Sequence, residues 1–193
     1  MKQTIFITSL FAASICLLLN GCANGTVAKD ALPEINSNTS NIIVRASNGE
    51  SGALGPVVFT GDDILWYNET TKELRFKDNA SHKPVVLNHT AIRFYLHNEY
   101  LFSSMIYVSG SHSQIINNLV FYYNMTENKY FLLDGYPDIS ELPLPPNANI
   151  SDAGNPNDYY KYVNASRIEN MQKIETEWDK FINQLKKERR YNN

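Results

Sequence analysis

The sequence predicts an α+β fold: an antiparallel β-sheet meander, a short N-terminal helix, and one long C-terminal amphipathic helix packed on the sheet. Three observations carry this reading. Short runs rich in Val, Ile, Phe and Tyr recur between residues 42 and 133, separated by polar turns. Near the C-terminus, Ile168, Met171, Ile174, Trp178, Phe181, Ile182 and Leu185 recur at 3-and-4 spacing, which marks one apolar helix face. The only two cysteines, Cys16 and Cys22, both lie near the start, so the rest of the chain must be held by an ordinary apolar core.

The elements follow in order. Ile42-Ile43-Val44 reads as a strand, and residues 47–56, with three glycines and Pro56, as a loop. Residues 56–59 read as extended chain. Thr60 followed three residues later by Asp63 has the form of a helix start, and Ile64-Leu65-Trp66-Tyr67 reads as the single turn of the short helix. Glu73-Leu74-Arg75-Phe76 alternates as a strand does. Val85-Val86-Leu87 is another β-prone run. Residues 91–96 and 101–108 flank a polar turn and read as a hairpin, as do residues 115–123 and 129–133. About five strands result. Residues 136–156 hold five prolines and read as a long loop or internal linker. Asn155 then has the chemistry of a cap, with Pro156 at the first helical position. In the C-terminal helix Glu169 and Lys173 are spaced for an i,i+4 ion pair, and Lys186, Lys187, Arg189 and Arg190 crowd the negative end of the dipole.

The N-terminus carries a different signal. Lys2 precedes an uncharged apolar run over residues 5–19, shorter than the roughly 20 residues a spanning helix needs and suited to a secretory signal. Leu19-Asn20-Gly21-Cys22 resembles the lipobox of bacterial lipoproteins, with Asn20 departing from the commonest residue there. The resemblance implies that residues 1–21 are a signal peptide and that Cys22 is the lipidation site. Residues 22–40, polar and rich in Asn and Ser, would be a flexible tether, and residues 41–193 a single domain. Residues 57–78, the block Leu119-Val120-Phe121-Tyr122-Tyr123 to Gly135-Tyr136-Pro137, and the terminal Trp178-Asp179-Lys180-Phe181 segment are similar to small uncharacterised lipoproteins of Bacteroidetes. This implies a cell-envelope location, with the membrane as partner through lipid on Cys22, and no defined activity. Residues 23–28 are uncharged, which favours a periplasm-facing position over the cell surface.

The net charge of −3 and the lack of a basic stripe among aromatics exclude a nucleic-acid partner. No glycine loop that would cradle phosphate and no dinucleotide fingerprint occurs, so no cofactor is expected. Asp62-Asp63 has two readings, a cation or acid–base pair and a helix cap, and the cap is the simpler. His82, His89, His97 and His112 form no His-Glu-x-x-His motif, and no metal site is expected. Ser111-His112-Ser113 lacks the Gly-x-Ser-x-Gly elbow, and no catalytic residue is assigned. Twelve Tyr and two Trp are the stronger lead. Trp66, Tyr67, Tyr159 and Tyr160 are candidate ligand-binding residues, because aromatic faces with a polar handle recognise sugars and peptides. Tyr122 and Tyr123 must face opposite sides of a strand, so one of them should be accessible.

The expectation is therefore a non-enzymatic, membrane-anchored envelope lipoprotein that captures a glycan or peptide ligand. The alternatives are an accessory subunit that docks on an envelope protein partner, and a hydrolase with an unrecognised site.

Overall fold

The computed structural model describes residues 40–47, 55–110, 114–142 and 156–193, all within the compact unit Glu34–Asn193. The signal segment, Cys22, residues 23–39 of the tether, Ser111-His112-Ser113, most of the proline-rich stretch and the Asn155 cap lie outside the described residues.

Nine strands form one sheet: β1 (Ile42–Ser47), β2 (Val57–Thr60), β3 (Ile64–Asn68), β4 (Glu73–Phe76), β5 (Ala91–Leu96), β6 (Glu99–Val108), β7 (Val120–Asn124), β8 (Lys129–Leu133) and β9 (Tyr191–Asn192). Their order is β2-β1-β5-β6-β7-β8-β4-β3-β9. The α+β class holds, but the sheet is mixed and is not an antiparallel meander. The β6–β7 and β3–β9 pairs are parallel. A hairpin joins β5 to β6, whereas the chain leaves β6, crosses over, and re-enters as β7 running the same way. A crossover of this kind is what parallel pairing requires. Both predicted hairpins are present, over β5–β6 and β7–β8. His97 and Asn98 turn the first with φ of 50° and 68°, the left-handed pair that a two-residue hairpin needs.

The short N-terminal helix is corrected. Thr60 and Asp63 do begin a helical turn, with the Asp63 carboxylate accepting from the Thr60 N–H (2.7 Å) and hydroxyl (3.1 Å). The turn is a 3-10 segment that ends at Asp63, and Ile64-Leu65-Trp66-Tyr67 continues as β3. Burial decides this. Ile64 and Tyr67 are fully buried, and a bulge between Ile64 and Trp66 lets β3 pair with β4 in spite of its broken alternation. The opposite correction applies to Val85-Val86-Leu87, which lie in a helix, α1 (Lys83–Asn88). Pro84 in the first turn suits a helix start and would cost a strand a ladder bond.

The link from β2 to β3 has a large consequence. β2 is one edge of the sheet and β3 lies next to the other, yet only Gly61–Asp63 separates them. A chain that short cannot span a flat nine-stranded sheet, so the sheet curls until its ends meet. Asp62 fastens the seam: its carboxylate accepts from the Ser40 N–H (3.0 Å) and from Arg190 (3.0 Å). Ser40 donates through its hydroxyl to Glu188 at 2.8 Å and is buried, so the domain includes it and not only residues from 41. Gly61 is needed where β1 approaches, because a Cβ there would strike the Ser40 side chain.

The concave face holds the core. Phe59, Phe76, Phe94, Phe102, Phe121 and Tyr130 come from six different strands, and their rings contact one another at 4.8–6.4 Å. The predicted C-terminal helix is two helices, α2 (Pro156–Gln172) and α3 (Glu175–Lys187), broken at Lys173-Ile174. Phe181, Ile182 and Leu185 of α3 close the core, with the Trp178 ring 5.9 Å from that of Tyr67. The apolar stripe does not run through α2: Ile168 is 52% exposed, whereas Val163 and Arg167 are buried. Ile174, with φ of −115° and ψ of 10°, marks the corner where the helical path is interrupted. The Glu169–Lys173 pair is present at 2.8 Å.

Candidate functional site

The four aromatic residues singled out by sequence are not brought together. Tyr67 is fully buried, and burial raises its hydroxyl well above the ordinary phenol range. It is a core residue and offers no surface to a ligand. Trp66 points the other way on β3 and is half-buried. Tyr159 and Tyr160 sit in the first turns of α2, half-buried, with rings 5.7 Å apart. The Tyr160 hydroxyl donates to the Leu142 carbonyl at 3.3 Å, which ties the helix to the segment before it. Tyr123 is buried and Tyr122 half-buried, on opposite faces as their spacing requires.

Tyr122 belongs to a second cluster on the convex face. Its ring lies 5.0 Å from Tyr136 and 6.2 Å from Tyr107, and Tyr107 lies 4.2 Å from Tyr136. The Tyr122 and Tyr136 hydroxyls are hydrogen-bonded, and burial with the neighbouring phenols pushes Tyr136 up to about 12. Nearby, the α2 residue Arg167 is buried. Its Nε donates to the Asn117 side chain at 3.4 Å, and it stacks where any side chain at Gly135 would collide with it. Asp134 and Asp138 help keep the guanidinium charged against its burial. The Asn170 amide donates to the Asn117 carbonyl at 2.9 Å. These contacts dock α2 on residues 116–142. They hold α2 in place, and the Nη2 of Arg167 is enclosed.

An opening does lie beside this docking. A half-open cleft of about 340 Å³ is lined by Tyr100, Ser103, Ser104 and Met105 of β6 and by Ala91 of β5. Asn118 and Leu119 form one end, and Asn170, Lys173 and Ile174, at the corner between α2 and α3, form the far wall. The volume falls in the range of small ligand sites, roughly 300–1,000 Å³. Tyr100 is 50% exposed and Met105 38%, so the cleft presents an aromatic ring and a thioether. Around them are two hydroxyls, two amides and the Lys173 ammonium, which is held by Glu169 (2.8 Å) and Asn170 (3.2 Å).

Ser103 and Ser104 both line it. Successive strand residues face opposite sides, and Ala91 of β5, opposite Met105, lines the cleft too, so it covers the outer face of the β5–β6 pair and reaches round the free edge of β6 to Ser104. The ladder explains why. β6 has ten residues and is paired with β5 from Glu99 to Met105, but β7 meets it only from Met105 onward. At that boundary the Met105 N–H donates to the Leu119 carbonyl (3.1 Å), and the Ser104 hydroxyl donates to the same oxygen (3.2 Å). Beyond it, toward Tyr100, no strand among the described residues pairs with that side of β6.

Sequence reading missed this site because none of its residues forms a motif. The sequence holds no signal for it: the runs 101–108 and 115–123 are of similar length, and only the fold shows that β6 starts at Glu99 and β7 not until Val120. Among the described residues, no group of three or more His, Cys, Asp or Glu comes close enough to hold a metal ion. No helix among them is long and apolar enough to cross a membrane. No protein-family model, curated protein or solved structure matches this chain.

Proposed function

We propose that this chain is a lipid-anchored cell-envelope protein whose folded domain is a non-enzymatic binding module, taking a glycan or peptide ligand in the cleft beside β6. The cleft is the observation that carries the binding reading. It joins a half-exposed Tyr100 ring to the amides of Asn118 and Asn170 and to Lys173, the mixture of apolar platform and fixed polar groups typical of small-ligand sites. The anchor rests on Leu19-Asn20-Gly21-Cys22 and the apolar run before it. Lipid chains on Cys22 would hold the domain at a periplasm-facing membrane surface, each buried methylene adding about 0.8 kcal/mol.

Two measurements test the two halves. Cys22→Ala should abolish acyl labelling and move the protein from the membrane to the soluble fraction; continued membrane attachment contradicts the anchor. A thermal-shift screen against oligosaccharides and short peptides, run on the wild type and on Tyr100→Ala, tests the cleft. Saturating ligand at a hundred times its Kd stabilises by about 2.7 kcal/mol. Stabilisation lost in Tyr100→Ala supports the reading. No stabilisation by any ligand, or stabilisation unchanged in the variant, contradicts it.

A further inference from the structure

Resting on the reading of the cleft as a binding site, we infer that its ligand is an extended peptide, which adds as a short strand to the uncovered edge of β6 at Ser103. The alternation of the ladder supplies the argument. Ile106 donates its N–H to the Thr90 carbonyl of the neighbouring chain, so Ile106 is a hydrogen-bonded position toward β5. In an antiparallel pair such positions alternate, so Ser104 and Phe102, opposite Ile92 and Phe94, also bond toward β5. Met105 and Ser103, opposite Ala91 and Arg93, direct their N–H and C=O the other way.

Met105 confirms the direction, because its N–H is taken by Leu119 on the β7 side. Ser103 directs the same two groups into the cleft, where no strand among the described residues meets them. A donor and an acceptor on one residue, aligned in a strand, match the C=O and N–H of another extended backbone. A sugar has hydroxyls but no such alternating pair at strand spacing.

The surroundings suit a peptide as well. An added strand would lie in line with β7, between β6 and the α2–α3 corner. Its side chains would alternate between the outer face, beside Tyr100 and Met105, and the inner side, beside Ser104 and Ile174. Asn118 and Asn170 stand at the rim, where side-chain amides can bond the peptide ends. An exposed edge elsewhere in the sheet is guarded: at β2 the His82 ring bonds the Val58 carbonyl. At Ser103 the edge is left open.

The test uses the full chain and a library of acetylated, amidated peptides about five residues long with apolar residues at alternate positions. The tightest binder is resynthesised with an N-methyl group on each backbone amide in turn. Ser103→Pro deletes the cleft-facing N–H while leaving the β5 ladder its bonds, and Ser103→Ala changes only the side chain. The expected result is that methylation at alternate amides weakens binding by at least about tenfold while the intervening positions tolerate it. Ser103→Pro should weaken binding similarly, and Ser103→Ala, which keeps the N–H, should weaken it less than Ser103→Pro. Should Ser103→Pro fold poorly, the methylation series on the wild type decides alone. Peptide binding that ignores the position of methylation overturns the inference. So does binding of chito-, xylo- or malto-oligosaccharides in the cleft without any peptide binder, though the binding-module reading then stands. If neither class protects the cleft, both fall.

Discussion

The concave face of the sheet and the edge of β6 beside the cleft use the same strands for opposite purposes. On the concave face, residues from six strands turn aromatic rings inward and α3 completes the seal, so Phe94, Phe121 and Tyr130 have at most 1% exposure. At the cleft, Tyr100 and Met105 stay near half exposure and Ser103 has no neighbouring strand on one side. Curling the sheet closes the core in one direction. The late arrival of β7 leaves a gap in the other. Stability and recognition are therefore assigned to different sides of one strand: Phe102 belongs to the core and Ser103, its neighbour, to the cleft.

The largest effect should come from removing a ring from the concave face. Phe94 contacts Phe59, Phe102 and Phe181 at 4.8–6.1 Å, and Phe94→Ala should cost about 3–5 kcal/mol in urea unfolding. A loss under about 1 kcal/mol would mean that the core is not sealed there.

Next is Asn79, a buried polar residue that stitches the β4 end of the sheet. Its side chain accepts from the Phe76 N–H (3.0 Å) and donates to the Asn128 carbonyl (2.7 Å), while its own carbonyl accepts from the Tyr130 hydroxyl (2.9 Å). Asn79→Ala strands a buried donor and acceptor and should cost about 1–3 kcal/mol. Asn79→Asp should recover only the acceptor half.

His82 gives a pH-dependent effect of smaller size. Its ring packs 4.2 Å from Phe76 and 5.8 Å from Phe59. Burial pushes its pKa below 6.5, against the pull of Asp63, Asp78 and the bond to the Val58 carbonyl. The unfolded state thus takes up the proton first. The contribution of His82 is complete above pH 6.5 and declines as the pH falls through 6.5 toward the lowered folded-state value. Unfolding midpoints at pH 7.5 and 5.5 should differ more for the wild type than for His82→Gln. Equal differences would remove His82 as the cause.

Smallest in stability should be the cleft itself. Tyr100→Ala removes a half-exposed ring outside the core and should change unfolding free energy by no more than about 0.5 kcal/mol. The same change should abolish ligand-induced stabilisation. A large stability loss would make Tyr100 a packing residue and blur the division between the two regions.

What could be read from sequence follows the same division. The α+β class, the two hairpins, the Thr60–Asp63 turn and the α3 face with Trp178, Phe181 and Leu185 were legible because each depends on local spacing. The order of the strands was not. That β3 and β4 insert beside β8 depends on the curling of the sheet, which no local run of residues records. Ile64-Leu65-Trp66-Tyr67 was misread as helix because four consecutive apolar residues have no period of their own; the bulge and the buried Tyr67 decided it as strand. Tyr67 and Trp66 are adjacent in sequence but face opposite ways, so these two candidate binding residues share no surface. The cleft residues come from β5, β6, the crossover and the helix corner, up to 83 positions apart along the chain between Ala91 and Ile174, so only the tertiary fold assembles them.

Amide hydrogen exchange along β6 tests the central claim most directly. With Phe102 and Ser104 bonded to β5 and Ser103 facing an open edge, the Ser103 amide should exchange far faster than its two neighbours in the ligand-free protein. Equal protection at all three would mean that the edge is already covered, and the cleft would lose its role as a site of strand addition.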